Sequence, residues 1–255
     1  MTETRTAAPA MIRARDRLIV ALDVDHAIDA RRVVDELRDM VGGFKVGLQL
    51  FAAAGPEFVR ELCKSELRVF LDLKFHDIPN TVVKAGVETA RLGVWMFNVH
   101  ASGGNEMMSR TVSEVSEFCS KTSIARPLII GVTVLTSSSD DALGEIGIKA
   151  TAAEQVVRLA KLSEAVGLDG VVASPLEAAI IRRECGANFK IVTPGVRPIN
   201  ATSDDQKRVS SPAEAVRNGS DYLVVGRPVI GAADRTAAVS DILLEISSAN
   251  NDQIS

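Results

Sequence analysis

Short apolar, β-branched runs alternate along the chain with longer amphipathic segments. The short runs are typical of β-strands, and the longer segments have the apolar spacing of helices. The predicted strands are Leu18–Asp23, Gly43–Gly47, Arg68–Lys74, Val94–His100, Leu128–Val134, Gly170–Ala173, Lys190–Thr193 and Tyr222–Gly226. The predicted helices are Ala27–Met40, Pro56–Ser65, Asn80–Leu92, Asn105–Ser120, Thr151–Val166, Leu176–Cys185, Pro212–Asn218 and a last one from about Arg235 to Ser248.

Eight strands, each followed by a helix, indicate parallel β/α units. Eight such units in a chain of 255 residues are typical of an α/β fold of the (β/α)8 TIM barrel type. A doubly wound open sheet is the alternative, but it rarely needs eight evenly spaced units. No Pro-, Gly- or Ser-rich linker divides the chain, so we expect one barrel domain over residues 16–250. Residues 1–15 are polar and are predicted to form a disordered leader, with Met11 as an alternative start.

Composition excludes several classes of function. The net charge of -4 and the pI near 5.5 argue against a general nucleic-acid binder. No apolar run is long enough to span a bilayer, so no membrane partner is expected. The three cysteines, Cys63, Cys119 and Cys185, are far apart and fit neither a disulfide framework nor a metal site. This usage predicts a reducing, cytoplasmic location.

The most informative stretch runs from Phe70 to Thr81. Asp72 and Lys74 are two residues apart in a predicted strand, so alternation should place both on one face. Asp77 follows in a loop that breaks at Pro79, and Asn80 or Thr81 is suited to cap the next helix. A structural ion pair with a helix cap is the plain interpretation. We favour a functional one, because three charges at the end of an apolar strand are a poor way to gain stability.

In a TIM barrel the chemistry belongs at the carboxyl ends of the strands. Those ends are polar or rich in glycine here, while the strand interiors are apolar. No Cys/His cluster has metal-ligand spacing, and neither GxGxxG nor a P-loop is present. The polar residues predicted to gather at this rim include Asp23, Lys45, Asp72, Lys74, His100, Thr136, Arg197 and Arg227.

The last two strand ends predict a phosphate site. In barrels the loops after strands seven and eight often bind phosphate, and Gly226-Arg227 offers an open backbone amide and a guanidinium group. The loop from Gly195 to Arg208 is long and polar, carries Arg197 and Gln206, and has the character of a lid. A surface ion pair is the alternative for Arg227.

These motifs resemble the orotidine 5'-phosphate decarboxylase family of the bacterial type, within the ribulose-phosphate-binding barrel superfamily. The signature is Asp72-Leu-Lys74-Phe-His-Asp77-Ile-Pro79-Asn-Thr81. Further matches are Ala21-Leu-Asp23, Phe44-Lys45-Val-Gly47, Asn98-Val-His100-Ala, Leu135-Thr136-Ser, Thr193-Pro-Gly-Val-Arg197-Pro and Val225-Gly226-Arg227. Sugar-phosphate relatives share D-x-K-x-x-D, but Ile-Pro-Asn-Thr and Gln206 favour the decarboxylase.

The resemblance implies decarboxylation of orotidine 5'-phosphate to uridine 5'-phosphate, the last step of de novo pyrimidine nucleotide synthesis, without metal or organic cofactor. It implies that Lys74 protonates C6 and that Asp72 orients Lys74. It implies that Asp77 and Thr81 complete the site of a partner in a homodimer. Binding roles are implied for Lys45 and Asp23 at the ribose, Thr136 at the pyrimidine, and Gln206, Gly226, Arg227 and Arg197 at the phosphate.

The dimer interface, the position of Asp77 and the function each have a specific prediction or alternative. An apolar part of the dimer interface is predicted around Val82, Val83, Met107 and Met108. Asp77 could instead fold back onto Lys74 of its own chain. For function, the alternatives are a related barrel enzyme acting on a sugar phosphate, of the keto-gulonate phosphate decarboxylase or hexulose-phosphate synthase type, and a non-catalytic nucleotide-binding barrel.

Overall fold

Eight parallel strands close into a barrel in the computed structural model, which describes residues 14–198 and 210–252. Each strand pairs with the next, and β8 pairs with β1. The predicted (β/α)8 TIM barrel is therefore confirmed. The strands are β1 Leu18–Ala21, β2 Gly43–Gly47, β3 Val69–Phe75, β4 Met96–His100, β5 Leu128–Val132, β6 Gly170–Val172, β7 Lys190–Pro194 and β8 Tyr222–Val225.

Helices surround this barrel and follow the strands in chain order. They are α1 Ala27–Leu37, α2 Leu48–Lys64, α3 Pro79–Arg91, α4 Gly104–Thr122, α5 Asp140–Glu145, α6 Ala152–Ala165, α7 Ala178–Cys185, α8 Pro212–Arg217, α9 Arg227–Ile230 and α10 Arg235–Asp252. A 3₁₀ turn, Ala101–Gly103, precedes α4. The short helices α5 and α9 were not predicted from the sequence, because four to six residues carry too little periodicity.

Helix α2 begins earlier than the predicted Pro56. It starts at Leu48 and is interrupted at Gly55, whose φ is 70°, directly before the proline. The Gly-Pro pair predicts a helix boundary, since glycine adopts this backbone readily and proline cannot continue the hydrogen-bond ladder. The chain instead bends there and continues, so the prediction recovered only the second part of the helix.

The start of α3 also differs from the prediction. The N-cap is Ile78, and neither Asn80 nor Thr81 caps the helix with its side chain. Pro79 occupies the first turn, where its fixed φ suits a helix and its missing N–H leaves one fewer donor to satisfy. The predicted cap is therefore wrong, and Thr81 lies inside the first turn.

Two apolar layers hold the fold together. One fills the barrel and one lies between the strands and the helices, as alternation along each strand requires. The interior cluster comprises Ile19, Ala21, Phe70, Met96, Ile130, Val192 and Val224. Because the interior is filled with side chains, the barrel has no pore, and polar groups can gather only at its ends.

Four residues proposed for a dimer interface belong to this core instead. Val82, Val83, Met107 and Met108 are at most 3% exposed within their own chain. Val82, Met107 and Met108 pack in the core where α3 and α4 cover the barrel, and Val83 is buried as well, so the prediction that these four form the apolar part of a dimer interface is wrong. The exposed apolar residue of this region is Ile78, directly after Asp77.

The predicted leader, residues 1–15, lies outside the described residues except for Ala14 and Arg15. Ala14 is fully buried, and Arg15 donates a hydrogen bond to the carbonyl of Val41. Within residues 14–198 and 210–252, no helix is both long enough and apolar enough to cross a membrane.

Candidate active site

The carboxyl ends of β1, β2 and β3 bring four charged side chains to one rim of the barrel. Lys45 lies in β2, and Asp72 and Lys74 lie in β3. Asp23 follows β1 by two residues. The register places Ala21 beside Lys45. Because all strands are parallel, their ends share one edge, and residues far apart in sequence meet there.

The four side chains form a chain of alternating charge. Lys45 Nζ lies 3.2 Å from Asp23 Oδ1 and 3.4 Å from Asp72 Oδ2. Lys74 Nζ lies 2.7 Å from Asp72 Oδ1. The side chains of Lys45 and Asp72 are only 11% and 13% exposed, whereas that of Asp23 is 53% exposed. The central pair is thus largely withdrawn from water.

The electrostatic balance at Asp72 favours the carboxylate. Burial raises the pKa of Asp72, but the ammonium groups of Lys45 and Lys74, together with hydrogen bonds from Lys74 and Asn98, lower it by more. The resulting pKa lies below the ordinary value of an aspartate. Asp72 is therefore ionised at neutral pH even though it is mostly buried.

Asp72 and Lys74 do not meet through the even strand alternation that the sequence predicts. β3 is not evenly extended here, because its register with β4 shifts between Leu71 and Phe75. Lys74 has a φ of 51°, in the left-handed region. The two side chains meet as predicted, but through a bulge rather than through simple alternation.

Asn98 is the site residue that sequence reasoning missed as a functional group. It is fully buried in β4. Its Nδ2 donates to Asp72 Oδ1 at 2.7 Å, and its Oδ1 accepts from the backbone N–H of Lys74 at 2.8 Å. An amide inside an otherwise apolar strand was the available signal, since buried polar groups need partners.

A cavity of about 180 Å³ opens beside this cluster at the mouth of the barrel. Its floor is apolar, and Thr136 lies at its edge. The lining residues are Lys45, Phe70, Asp72, Lys74, Val132, Val134, Leu135, Thr136, Val172, Val192, Pro194 and Val224. A mostly apolar cavity with a few convergent charged groups is the usual form of a small-molecule site.

A second cleft of about 170 Å³ adjoins the first. The two share Lys45, Asp72 and Lys74, so the charged groups are accessible from both sides. Its lining residues are Leu22, Asp23, Lys45, Gly47, Leu48, Gln49, Leu50, Asp72 and Lys74. A ligand could therefore extend from the apolar floor past the charges to the carboxylate of Asp23.

Of the predicted phosphate residues, Gly226 lies beside this cleft, and Arg197 and Arg227 do not line it. Gly226 is the N-cap of α9 and lies close to Asp23: a Cβ added there would lie 3.0 Å from Asp23 Oδ2, and the carboxylate would have to shift by a few tenths of an ångström. Arg227 is exposed. Arg197 is buried, and its backbone N–H donates to Ser210. Gln206 lies outside the described residues.

Asp77 and Thr81 are not joined to the charged cluster. Asp77 is exposed, and its Oδ1 accepts from the backbone N–H of Ile78 at 2.6 Å. Among the described residues, no hydrogen bond or ion pair links Asp77 to Lys74. Thr81 is also exposed, in the first turn of α3. The fold-back alternative, in which Asp77 contacts Lys74 of its own chain, finds no such contact here.

A larger cleft of about 560 Å³ lies at the opposite end of the barrel, beside the residues that precede β1 and β8. Arginines line it, and two of them, Arg17 and Arg182, bind backbone carbonyls that hold neighbouring segments together. Arg182 donates to the carbonyls of Gly186, Phe189 and Gly219 and pairs with Asp221. We assign the chemistry to the other rim, where charged side chains converge and pair with one another rather than with backbone carbonyls. In the described part of the chain, no group of three or more His, Cys, Asp or Glu side chains is placed to hold a metal ion.

Several known proteins are similar to this chain over most of its length. A model of the Orotidine 5'-phosphate decarboxylase / HUMPS family matches residues 16–242. An orotidine 5'-phosphate decarboxylase of Syntrophotalea carbinolica is 51% identical over 239 residues, 94% of this chain and 98% of the relative. That of Geobacter sulfurreducens is 53% identical over 235 residues, 92% of this chain and 97% of the relative. The crystal structure of the Lactobacillus acidophilus enzyme of the same name superposes with a TM-score of 0.79 at 37% identity, covering 90% of this chain and 98% of that one.

The substitution Lys45→Met tests the electrostatic balance at Asp72. We expect the free energy of unfolding at pH 7 to fall by about 2 kcal/mol, because a mostly buried carboxylate loses one of its charged partners. Lys45 helps to hold the pKa of Asp72 below its ordinary value, so it stabilises the fold only where Asp72 is ionised. The loss should therefore shrink as the pH falls through the pKa of Asp72, first in the variant, where that pKa is higher, and then in the wild type.

Urea denaturation at several pH values measures this difference. Lys121→Met is the matched control, since it breaks an exposed pair with Glu117 and should change stability by less than about 0.5 kcal/mol. A loss of equal size at every pH would contradict the assigned coupling of Lys45 to Asp72.

Proposed function

Because the chain belongs to the Orotidine 5'-phosphate decarboxylase / HUMPS family, we propose that it converts orotidine 5'-phosphate to uridine 5'-phosphate and CO2. The observation that carries this proposal is the ammonium of Lys74, 2.7 Å from the carboxylate of Asp72 at the mouth of the barrel. The family description covers two branches. Relatives at 51% and 53% identity bear the decarboxylase name, which favours that branch over the sugar-phosphate alternative.

The reaction needs a proton donor at one carbon. The bond between C6 and the carboxylate breaks, CO2 leaves, and the electron pair stays on C6, where the pyrimidine ring delocalises it poorly. Lys74 donates a proton to C6 and becomes a neutral amine, which regains a proton from water. A fixed ammonium beside C6 stabilises the developing charge without reorganisation.

Asp72 acts mainly through Lys74. Its carboxylate accepts from the Lys74 ammonium and fixes that group at the wall of the cavity. Its negative charge also lies beside the position of the substrate carboxylate, an unfavourable contact that is relieved as CO2 departs. The low pKa of Asp72 supports both roles, because the carboxylate stays ionised throughout the neutral range.

The remaining groups bind the substrate along the two adjoining clefts. Lys45 and Asp23, 3.2 Å apart, contact the ribose hydroxyls, with Lys45 extending the charged network. Thr136 contacts the edge of the pyrimidine, in agreement with its place beside the apolar floor. No step in this scheme requires a metal or an organic cofactor.

The phosphate lies at the ends of β7 and β8. Arg227 supplies an exposed guanidinium, and Gly226 supplies a backbone without a side chain beside Asp23. A guanidinium matches the geometry of a phosphate group well. Arg197 and Gln206, from the segment between β7 and α8, complete the proposed set.

The active unit is a homodimer in which sites are shared. Among the described residues no hydrogen bond or ion pair joins Asp77 to Lys74 of its own chain, and the cleft beside Lys45 and Lys74 is open to solvent. Asp77 and Thr81 of a partner would fill it. The exposed Ile78 and Leu48, at 66% and 60%, are apolar residues placed to contact that partner.

The chain would act in the cytoplasm, as the last step of de novo pyrimidine nucleotide synthesis. Its three cysteines are free, and Cys119 and Cys185 are buried, as suits a reducing compartment. We propose neither a nucleic-acid nor a membrane partner, given the acidic net charge of -4.

Turnover of orotidine 5'-phosphate in the presence of a metal chelator tests the activity and the role of Lys74 together. We expect the wild type to remain active with chelator, because the proposed donor is a side chain. Lys74→Ala should lose at least about a thousandfold in kcat, since it removes both the acid and the charge beside C6.

The absorbance change of the orotate ring follows this reaction. Lys121→Ala, at an exposed position of α4, should keep wild-type activity. Unchanged thermal unfolding of Lys74→Ala would show that the fold is retained. Absence of turnover with orotidine 5'-phosphate, with or without chelator, would favour the sugar-phosphate branch, and an active Lys74→Ala would remove this residue from the donor role.

Arg227→Ala tests the phosphate site. Removing one charged hydrogen-bond partner costs about 1.5–3 kcal/mol, so KM should rise about tenfold to a hundredfold. Turnover should also slow if phosphate binding helps to assemble the site. Steady-state kinetics with orotidine, which lacks the phosphate, give the sharper comparison.

Wild type and Arg227→Ala should turn over orotidine equally, because the missing contact is to the phosphate. Arg183→Ala, exposed at the other end of the barrel, is the control and should leave both substrates unaffected. A penalty of equal size with orotidine would place the anion site elsewhere.

Subunit complementation tests the shared site. Asp77→Ala and Lys74→Ala proteins are mixed under conditions of subunit exchange. In each mixed dimer one site carries both changes and one carries neither, so random exchange should restore about a quarter of wild-type activity per chain.

A mixture of Asp72→Ala with Lys74→Ala is the matched control. Both residues serve the site of their own chain, so every site keeps one change and activity should stay low. With exchange confirmed by labelled subunits, failure of the first mixture to regain activity would refute shared sites and leave Asp77 acting within its own chain.

A further inference from the structure

The strand that carries the proposed reacting groups has an irregular pairing at those groups. β3 pairs evenly with β4 as far as Leu71, and the pairing resumes at Phe75. Three residues of β3, including Asp72 and Lys74, lie in this interval. β4 crosses the same interval with one residue, Asn98. The normal ladder is thus interrupted where the chemistry is proposed to occur.

The side chain of Asn98 bridges the interruption. Its Oδ1 accepts from the backbone N–H of Lys74 at 2.8 Å, and its Nδ2 donates to Asp72 Oδ1 at 2.7 Å. The orientation of the amide follows from its partners, because an N–H requires an acceptor and a carboxylate requires a donor. With no exposure to solvent, the amide has no freedom to exchange these partners for water.

The backbone of Lys74 depends on such support. Its φ of 51° is in the left-handed region, which a residue with a Cβ adopts only at a free-energy cost. In an evenly paired β3 the backbone N–H of Lys74 would face β2, because the carbonyl of Arg68 accepts from β2, that of Val69 accepts from β4, and the two directions alternate. Here it pairs with the Asn98 amide, which therefore holds the unusual conformation in place.

We propose that Asn98 is a positioning residue for the proposed decarboxylation: its amide fixes the backbone of Lys74 and the carboxylate of Asp72 in one geometry. The inference rests on the proposed function. Asn98 does not line either cleft of the site and so does not bind the substrate. It acts through the two groups that do, by limiting where the ammonium of Lys74 can lie.

The surroundings of Asp72 decide what the loss of Asn98 would change. Titratable groups face this carboxylate from three elements: Lys45 on β2, Lys74 on β3 and His100 on β4. Burial, then His76 and Lys74, lower the pKa of His100, so it is neutral near pH 7. Beside Lys45 and Lys74, Asn98 is the uncharged donor to this carboxylate and fixes its rotation.

Asn98→Ala provides the first test, with kcat and the affinity for uridine 5'-phosphate measured together. We expect kcat to fall about a hundredfold, because misplacing a reacting group by about 1 Å has effects of this size. The affinity for the product should stay within about twofold, since the proposed contacts to its ribose and phosphate do not depend on Asn98, and the product lacks the carboxylate that leaves. Thr193→Val is the matched control, a buried strand residue whose hydroxyl bonds to Ser220 away from the site, and should leave kcat unchanged.

Asn98→Asp fills the same space and tests the donor to Asp72 separately. Its new carboxylate still accepts from the N–H of Lys74 but no longer donates to Asp72. Two adjacent carboxylates bind a shared proton as the pH falls, and the protonated group can donate again. The kcat of this variant relative to the wild type should therefore rise toward acidic pH, which a space-filling role would not produce.

Each outcome decides the proposal. A large fall in kcat at constant product affinity, with an inert Thr193→Val, supports it. An unchanged kcat, a parallel loss of affinity, or failure of both Asn98 variants to fold would overturn it, the last because a folding role would then explain the buried amide. If the wild type does not turn over orotidine 5'-phosphate, the proposed function fails instead, and a crystal structure of Asn98→Ala with Lys74 unmoved would overturn the positioning role independently.

Discussion

A carboxylate withdrawn from water at the mouth of an apolar barrel is the constraint around which the site is built. Asp72 is 13% exposed, and burial alone would favour its neutral form. Two ammonium groups and one amide reverse that preference. Each comes from a different position along the rim, so the ionised state of Asp72 requires β2, β3 and β4 to be correctly placed. A largely buried charged cluster of this kind is a poor source of stability, which is why its presence indicates chemistry.

The barrel meets this requirement because its strands are parallel and its interior is filled. Apolar side chains such as Phe70 and Val224 close the barrel below the charges, so a ligand at the mouth lies on an apolar floor beside fixed ions. Low exposure strengthens the contact between Lys74 and Asp72 relative to the same pair in water. The site therefore combines an apolar floor with charged groups beside it, the arrangement that the proposed reaction of a pyrimidine ring requires.

The same geometry accounts for the proposed need for a second subunit. The charged groups contributed by β1 to β3 lie within ion-pair distance of one another, whereas Asp77 lies beyond the end of β3, exposed and hydrogen-bonded to its neighbour Ile78. A carboxylate there is available to another chain. Val82 and Val83 of α3 and the methionines of α4 cannot serve such an interface as exposed groups, because their own barrel has already buried them.

The sequence by itself determined the architecture and most of the site. Apolar periodicity located eight strands, and charged or glycine residues after them marked the rim, because these signals depend only on neighbours in the chain. The sequence-based prediction misplaced the cap of α3 and the start of α2. In both places a proline is compatible with more than one local backbone arrangement. Tertiary structure decided the rest. The left-handed backbone of Lys74 and the hydrogen bonds of Asn98 arise from the packing of β3 against β4. In the chain, Asn98 lies 24 positions from Lys74 and 26 positions from Asp72. No local pattern records a hydrogen bond between strands, so only the folded barrel could show what holds the proposed proton donor in place.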